Sequence, residues 1–242
     1  TLSSLVPNDA TLILASSGGP DSQVMLDLVG QILENGANYQ VVAVGVDHGL
    51  RPEAPGELEL ARNLAQEHGI EFHQLEVQVQ AQGNKLQNAR EARYEVIRKF
   101  ANRFDNAFIL TAHSATDQCE TLVQRLSRGT GLRGAAAIHP SRQDLLRPLL
   151  RHTRQEILNY AISRSISFAN DPSNEDRSHS RTIIRQDIVP VLDQLNPEAQ
   201  RHWVKFSEQS MRATHFLDEL AKPVLAAASG PLNSLRVGPL ET

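Results

Sequence analysis

One cysteine, Cys119, and one tryptophan stand among 242 residues, and aromatics make up only 5%. A lone thiol excludes an internal disulfide, CxxC redox chemistry and a cysteine-rich zinc or iron–sulfur centre, and it fits a reducing, cytoplasmic setting. Long apolar runs are missing too. No stretch approaches the length of a membrane span, and no charged-then-apolar leader opens the chain, so a soluble protein without a membrane partner is expected. The chain starts at Thr1 rather than methionine and ends SGPLNSLRVGPLET, which suggests processing or a piece cut from something longer. This length buries a full core and predicts one large α/β domain with a smaller appendage.

Lysine is absent where positive charge gathers. Net charge is −7 over residues 1–119, +4 over 120–190 and −1 over 191–242, and all eleven cations of the middle segment are arginines. The planar guanidinium fork suits phosphate, so this segment is a candidate RNA-facing surface. The plainer alternative pairs these arginines with Glu120, Glu156, Glu175 and Asp187 on solvated helices.

Periodicity and turn residues predict strands near Thr11–Ala15, Tyr39–Val46, Glu71–Leu75 and Ala107–Leu110. Helices are predicted at Ser22–Glu34, Glu57–Glu67, Lys85–Asn102 and Thr116–Leu126. That alternation implies a doubly wound parallel α/β sheet, whose ligands lie beyond the strand carboxyl ends where strand order reverses. Beyond Gly134 the pattern becomes a short apolar piece (Leu145–Leu150), a helix (Thr153–Ser163), a polar loop (Phe168–Ser180) and a small helical C-terminal region. That region comprises Thr182–Leu195 and Glu198–Ala228, with Pro190, Pro197 and Pro223 expected as breaks. The expected units are 1–189, nucleotide-binding, and 190–242, a helical linker or partial domain.

The first strand runs into Ser17-Gly18-Gly19-Pro20-Asp21-Ser22. A strand turning through glycines into a helix presents backbone N–H groups to an anion, and the two serines add hydroxyl donors. Asp21 is a candidate magnesium ligand beside the phosphates. The turn lacks the lysine and spacing of a Walker A loop and is not GxGxxG. It resembles the SGGxDS loop of the ATP pyrophosphatase (PP-loop) superfamily. A plain helix-capping turn is the alternative.

Asp47-His48-Gly49-Leu50-Arg51 follows the second strand and places an acid, an imidazole and a guanidinium at one strand end. His113, Asp117, Glu120, Thr121 and Gln124 form one polar stripe along the helix after the fourth strand, and such a stripe at the mouth of a sheet requires partners. His113, with an imidazole expected to titrate near neutrality, and Asp117 are candidates for orienting and deprotonating an amine. Arg128-Gly129-Thr130-Gly131-Leu132-Arg133-Gly134 is a basic glycine loop that also suits a helix C-cap. Asp171-Pro172-Ser173-Asn174 reads as a turn, after which Arg181 and Arg185 share a helix face.

In order along the chain, SGGPDS, VDHGLR (46–51), GNKLQNAREARY (83–94), AHSATDQCET (112–121), RGTGLRG (128–134), RPLL (147–150), DPSN (171–174) and SRTIIR (180–185) resemble the tRNA(Ile)-lysidine synthases. These are bacterial ligases that attach lysine to the wobble cytidine of an isoleucine tRNA with CAU anticodon. The match runs from Leu12 to about Pro197. Ser114 and Thr116 stand where that family usually carries a histidine and an acid, Thr182 where it carries asparagine, and Gln87 and Asn88 near where it carries an acid.

The resemblance implies an adenine nucleotide alpha hydrolase-like fold, ATP as cosubstrate with magnesium, and L-lysine and tRNA(Ile) as partners. Carried over, Ser17, Gly18, Gly19, Pro20, Asp21, Ser22, His48 and Arg51 would bind ATP, and Asp21, Asp47, His113 and Asp117 would be catalytic. Arg90, Arg93, Glu120, Arg128, Arg133, Arg181 and Arg185 would meet RNA or substrate. A tRNA thiolase, an amide-forming synthetase and a non-catalytic nucleotide sensor are the rival readings; the oligomeric state, a homodimer included, is left open.

Overall fold

In a computed structural model of the chain, the described residues are 6–7, 9–47, 54–77, 85–169, 177 and 180–228. Their order is β1 (Thr11–Ala15), α1 (Pro20–Glu34), β2 (Gln40–Asp47), α2 (Ala54–Glu67), β3 (Glu71–Glu76), α3 (Lys85–Ala101), β4 (Ala107–Leu110) and α4 (Ala115–Ser127). There follow α5 (Leu132–Ala135), β5 (Ser141–Arg142), β6 (Leu145–Leu146), α6 (Arg154–Ser163), α7 (Ser180–Ile183), α8 (Val189–Leu195) and α9 (Ala199–Ala228). No described helix is long and apolar enough to cross a membrane.

One six-stranded sheet runs β3-β2-β1-β4-β6-β5, parallel throughout except for the edge strand β5. The doubly wound class expected from the alternation is thus the one found. Strand order reverses between β1 and β4, which opens a crevice at their carboxyl ends. The turn carrying SGGPDS leaves one side of it and the His113 segment the other.

Both faces of the sheet are covered, as its strands require. Leu12 and Leu14 pack with Val24 and Met25 of α1, Leu64 of α2 and Ile157 of α6. Ile13, one residue out of phase, packs on the opposite face with Val42, Val44 and Ile97 and Phe100 of α3. Trp203 of α9 rests against Cys119, Ile184 and Val189 on one side and Leu122, Ala135 and Ala137 on the other, fastening α9 to α4 and α5.

The prolines depart from expectation. Helical structure runs from Ser180 to Leu195 without stopping at Pro190, because residues Ile184–Ile188 widen into a π-turn in which the Val189 N–H reaches the Ile184 carbonyl. A wider turn accommodates a proline ring that would otherwise press on the preceding turn. Pro223 lies inside α9 without ending it, whereas Pro197 does fall between α8 and α9.

Candidate active site at the carboxyl edge of the sheet

Gly18 adopts φ +78°, and a Cβ there would fall 2.0 Å from the Glu57 carbonyl oxygen, so no other residue fits this turn. Ser22 Oγ accepts the Ser17 N–H at 3.1 Å and donates to the Gly19 carbonyl at 2.9 Å, which shapes the loop from within. The Ala169 N–H donates to Gly18 O at 2.9 Å, tying the turn to the segment after α6. Gly19 caps α1 without a side chain and Pro20 occupies its first turn, so the amides of that turn have no side-chain cap.

Asp21 sits in the same turn. Arg154 Nη1 donates to its Oδ2 at 2.8 Å, while its Oδ1 is buried with no hydrogen-bond partner. Burial raises the carboxyl above its ordinary pKa; Arg154 opposes that rise and the nearby Asp117 adds to it.

Across the crevice, His113 Nδ1 lies 3.0 Å from Thr111 Oγ1. Burial pushes the imidazole down to about 4 against the pull of Asp117, and Arg147, Arg90 and Arg181 push the same way as burial. The expectation of a histidine poised near neutrality is therefore corrected: a desolvated ring ringed by guanidinium groups is neutral at physiological pH. Asp117 is drawn upward by burial, yet His113 and the Ser114 donors hold it below the usual carboxylate range. Its Oδ2 accepts the Ser114 N–H at 2.8 Å and hydroxyl at 2.9 Å, in a reciprocal cap at the start of α4.

Ser114 and Thr116, two of the departures noted above, both have structural work. Ser114 is the N-cap of α4. Thr116 Oγ1 donates to Gln200 Oε1 at 2.7 Å and accepts the Arg154 N–H at 3.1 Å, joining α4, α6 and α9.

The partners that the polar stripe requires are supplied by Ser180–Arg185. Arg185 Nε donates to Glu120 Oε1 at 2.6 Å, Arg181 Nη2 to Thr121 Oγ1 at 3.1 Å, and Gln124 Nε2 to Ser180 Oγ at 2.7 Å. Glu120 is wholly enclosed and its Oε2 has no hydrogen bond, although Arg181 Nε lies 3.8 Å away. Burial raises its pKa against Arg185. So enclosed, it has no surface to offer an RNA directly and touches Arg185 instead.

The remaining predicted residues scatter. Asp47 ends β2 opposite Glu76. His48, Arg51 and Asp171–Asn174 lie outside the described residues. Arg90 and Arg93 are exposed on α3. Arg128 is the exposed C-cap of α4, with Gly129 at φ +77° beyond it, and Arg133 makes a two-pronged ion pair with Asp218 at 2.6 and 3.1 Å. Arg154 was missed as a site residue. Its signal was Thr153-Arg154-Gln155-Glu156, a capping box that starts α6 at the same edge. Among the described residues no group of three or more His, Cys, Asp or Glu side chains is placed to hold a metal ion.

A parallel sheet with a glycine–serine turn and a buried acid at its switch point defines a nucleotide-binding protein of the PP-loop class. The family model described as a PP-loop domain matches residues 2–192, and the chain belongs to that family. Among curated relatives, it is 31% identical over 220 residues to a tRNA(Ile)-lysidine synthase of Thermosipho africanus, covering 89% of this chain and 51% of that protein. It is 35% identical over 225 residues to a protein of the same name from Pseudomonas putida, covering 91% and 52%. The chain thus spans about half the length of these relatives. In fold it is similar to the U34-tRNA thiolase NcsA of Methanococcus maripaludis, with TM-score 0.73 and 18% identity over 85% of this chain and 74% of that one.

Proposed function

We propose that the chain carries the catalytic unit of a tRNA(Ile)-lysidine synthase, using ATP to join L-lysine to C2 of the wobble cytidine. The observation that carries the reading is the pairing, across one switch point, of the SGGPDS turn and its orphaned Asp21 oxygen with the His113–Asp117 segment. In the first half-reaction the cytidine O2 attacks the α-phosphorus of ATP and pyrophosphate leaves, held by the amides and hydroxyls of Ser17–Ser22. In the second, the lysine ε-amine attacks C2, AMP departs with the former carbonyl oxygen, and the amine loses its proton.

Asp117, held ionised, would attract the lysine ammonium, and His113, held neutral, would accept a hydrogen bond or proton from it. Asp47, His48 and Arg51 would close the nucleotide site from β2. Arg90, Arg93, Arg128, Arg133, Arg181 and Arg185 would hold the RNA, with Glu120 keeping Arg185 in place. Magnesium fits Asp21, since a hard cation takes a carboxylate oxygen lacking a donor and completes its shell with phosphate and water. Bound there, it would neutralise charge on the departing pyrophosphate.

Residues 1–189 form the nucleotide-binding unit in this reading and 190–242 the helical appendage, a division supported by the end of the family match at 192. A thiolase is disfavoured because the one thiol, Cys119, is buried and pushed up to about 12 by burial, with Asp193 and Glu120 adding to the rise. Mass spectrometry of tRNA after incubation with ATP and isotope-labelled lysine should show labelled adduct, and pyrophosphate exchange should vanish in Asp21→Ala. Undiminished turnover in that variant would end the assignment of the turn.

A further inference from the structure

Between α3 and the β5–β6 hairpin runs an open groove of about 770 Å³. Arg90, Tyr94 and Arg98 line it at four-residue spacing along α3 beside Lys99, and Arg142 and Arg147 face them from the hairpin. The guanidinium groups of Arg90 and Arg98 lie 5.7 and 6.0 Å from the Tyr94 ring centroid, within cation–π reach. Tyr94 also bonds to the half-buried Arg147. Glu91 and Glu95 share the lining, so five cations meet two carboxylates and the groove is net positive.

Two of its lining arginines, Arg90 and Arg147, both push the His113 imidazole down, so the charge at this end of the groove reaches the site. α3 precedes β4 and so descends against the strand direction, carrying the groove toward Asn102 and Gln143. From Arg90 to Asn102 the helix covers about 18 Å, the reach of a few nucleotides.

We propose that this groove is a track for the single-stranded nucleotides flanking the base presented to the site. Phosphates lie on Arg98, Lys99 and Arg142, and one base stacks on the Arg90–Tyr94 surface. The inference rests on the reading above that an RNA is the substrate. An acidic polypeptide would satisfy the cations but leave the Tyr94 ring unused, whereas every base has a π-face to set against it.

The test measures anisotropy of a fluorescent anticodon stem-loop across a salt series. Arg98→Ala/Arg142→Ala should weaken binding at least tenfold at low salt and reduce the log–log salt slope by about 1.4, two single-strand phosphate contacts. Its kcat at saturating RNA and its KM for ATP should stay at wild-type values. Tyr94→Ala should weaken binding while Tyr94→Phe, which keeps the ring, should retain it. Arg62→Ala/Arg164→Ala, which removes equal charge from the opposite face, should leave the slope unchanged. A wild-type slope in Arg98→Ala/Arg142→Ala, or polyglutamate displacing the stem-loop at equal charge concentration, would overturn the track. Groove-dependent binding by a chain that transfers no AMP would instead uphold the track and remove the catalytic reading.

Discussion

Asp21 and Asp27 lie six residues apart on α1, both shielded from water, yet their surroundings push their acidities in opposite directions. Asp27 is drawn upward by burial, but Tyr160, Gln31 and His68 outweigh it and hold the carboxyl low. Tyr160 donates to Oδ2 at 2.7 Å, Gln31 donates to the same oxygen at 2.5 Å, and His68 Nε2 sits 3.2 Å from Oδ1. Asp21 has one guanidinium partner, a bare buried oxygen and a raised pKa. A buried carboxylate with every oxygen satisfied cements α1 to α2 and α6. One left partly unsatisfied is poised for something that is not protein.

The contrast is broken most severely by Asp21→Asn. AMP transfer should fall about 10²–10³-fold, the size expected on losing a group that stabilises developing charge. The thermal midpoint should hold or rise at neutral pH. Because the folded pKa of Asp21 is raised, the native state loses stability as pH rises through that value, and asparagine escapes the loss. A fall in midpoint that accounts for the missing activity would erase the distinction between the two aspartates.

Next in size is Arg185→Ala, which strands the enclosed Glu120 charge. A loss of roughly 3–5 kcal/mol by urea titration is expected, most of it restored by adding Glu120→Gln. Equal stability of the single and double variants would show that Glu120 is already protonated in the native chain.

Smallest is Asp27→Asn, expected to lose about 2 kcal/mol with activity per folded molecule intact. The depressed folded pKa of Asp27 gives stability that is present above its unfolded value, near 3.9, and is lost as pH falls through the folded one. The gap between wild type and variant, followed by thermal melts, should therefore close in strong acid. A constant gap would mean that the network works through packing alone.

Much of this was legible in the chain. The strands from Thr11 and Ala107 and the helices beginning near Asp21 and Thr116 appear within a residue or two of expectation, because each is a buried apolar run or an amphipathic period bounded by turn residues. β5 and β6, two residues each, are too short to carry a period and exist only because β4 offers them an edge. Arg154 escaped for a related reason: the capping box beside it marks a helix start, and nothing in that box tells which of the eleven arginines of the basic segment reaches Asp21. Pro190 misled because its usual effect on a helix was absorbed by a π-turn that ends two residues earlier.

What the sequence determined alone was the order of strands and helices, the glycine–serine turn after the first strand, and the single thiol that narrows the chemistry. Those depend on interactions within a turn or two of the chain. Which acid would be satisfied and which left bare, and that His113 would be neutral, was decided by the tertiary structure. Arg154 reaches Asp21, and Tyr160 reaches Asp27, across 133 residues, and desolvation sums over everything the fold brings near.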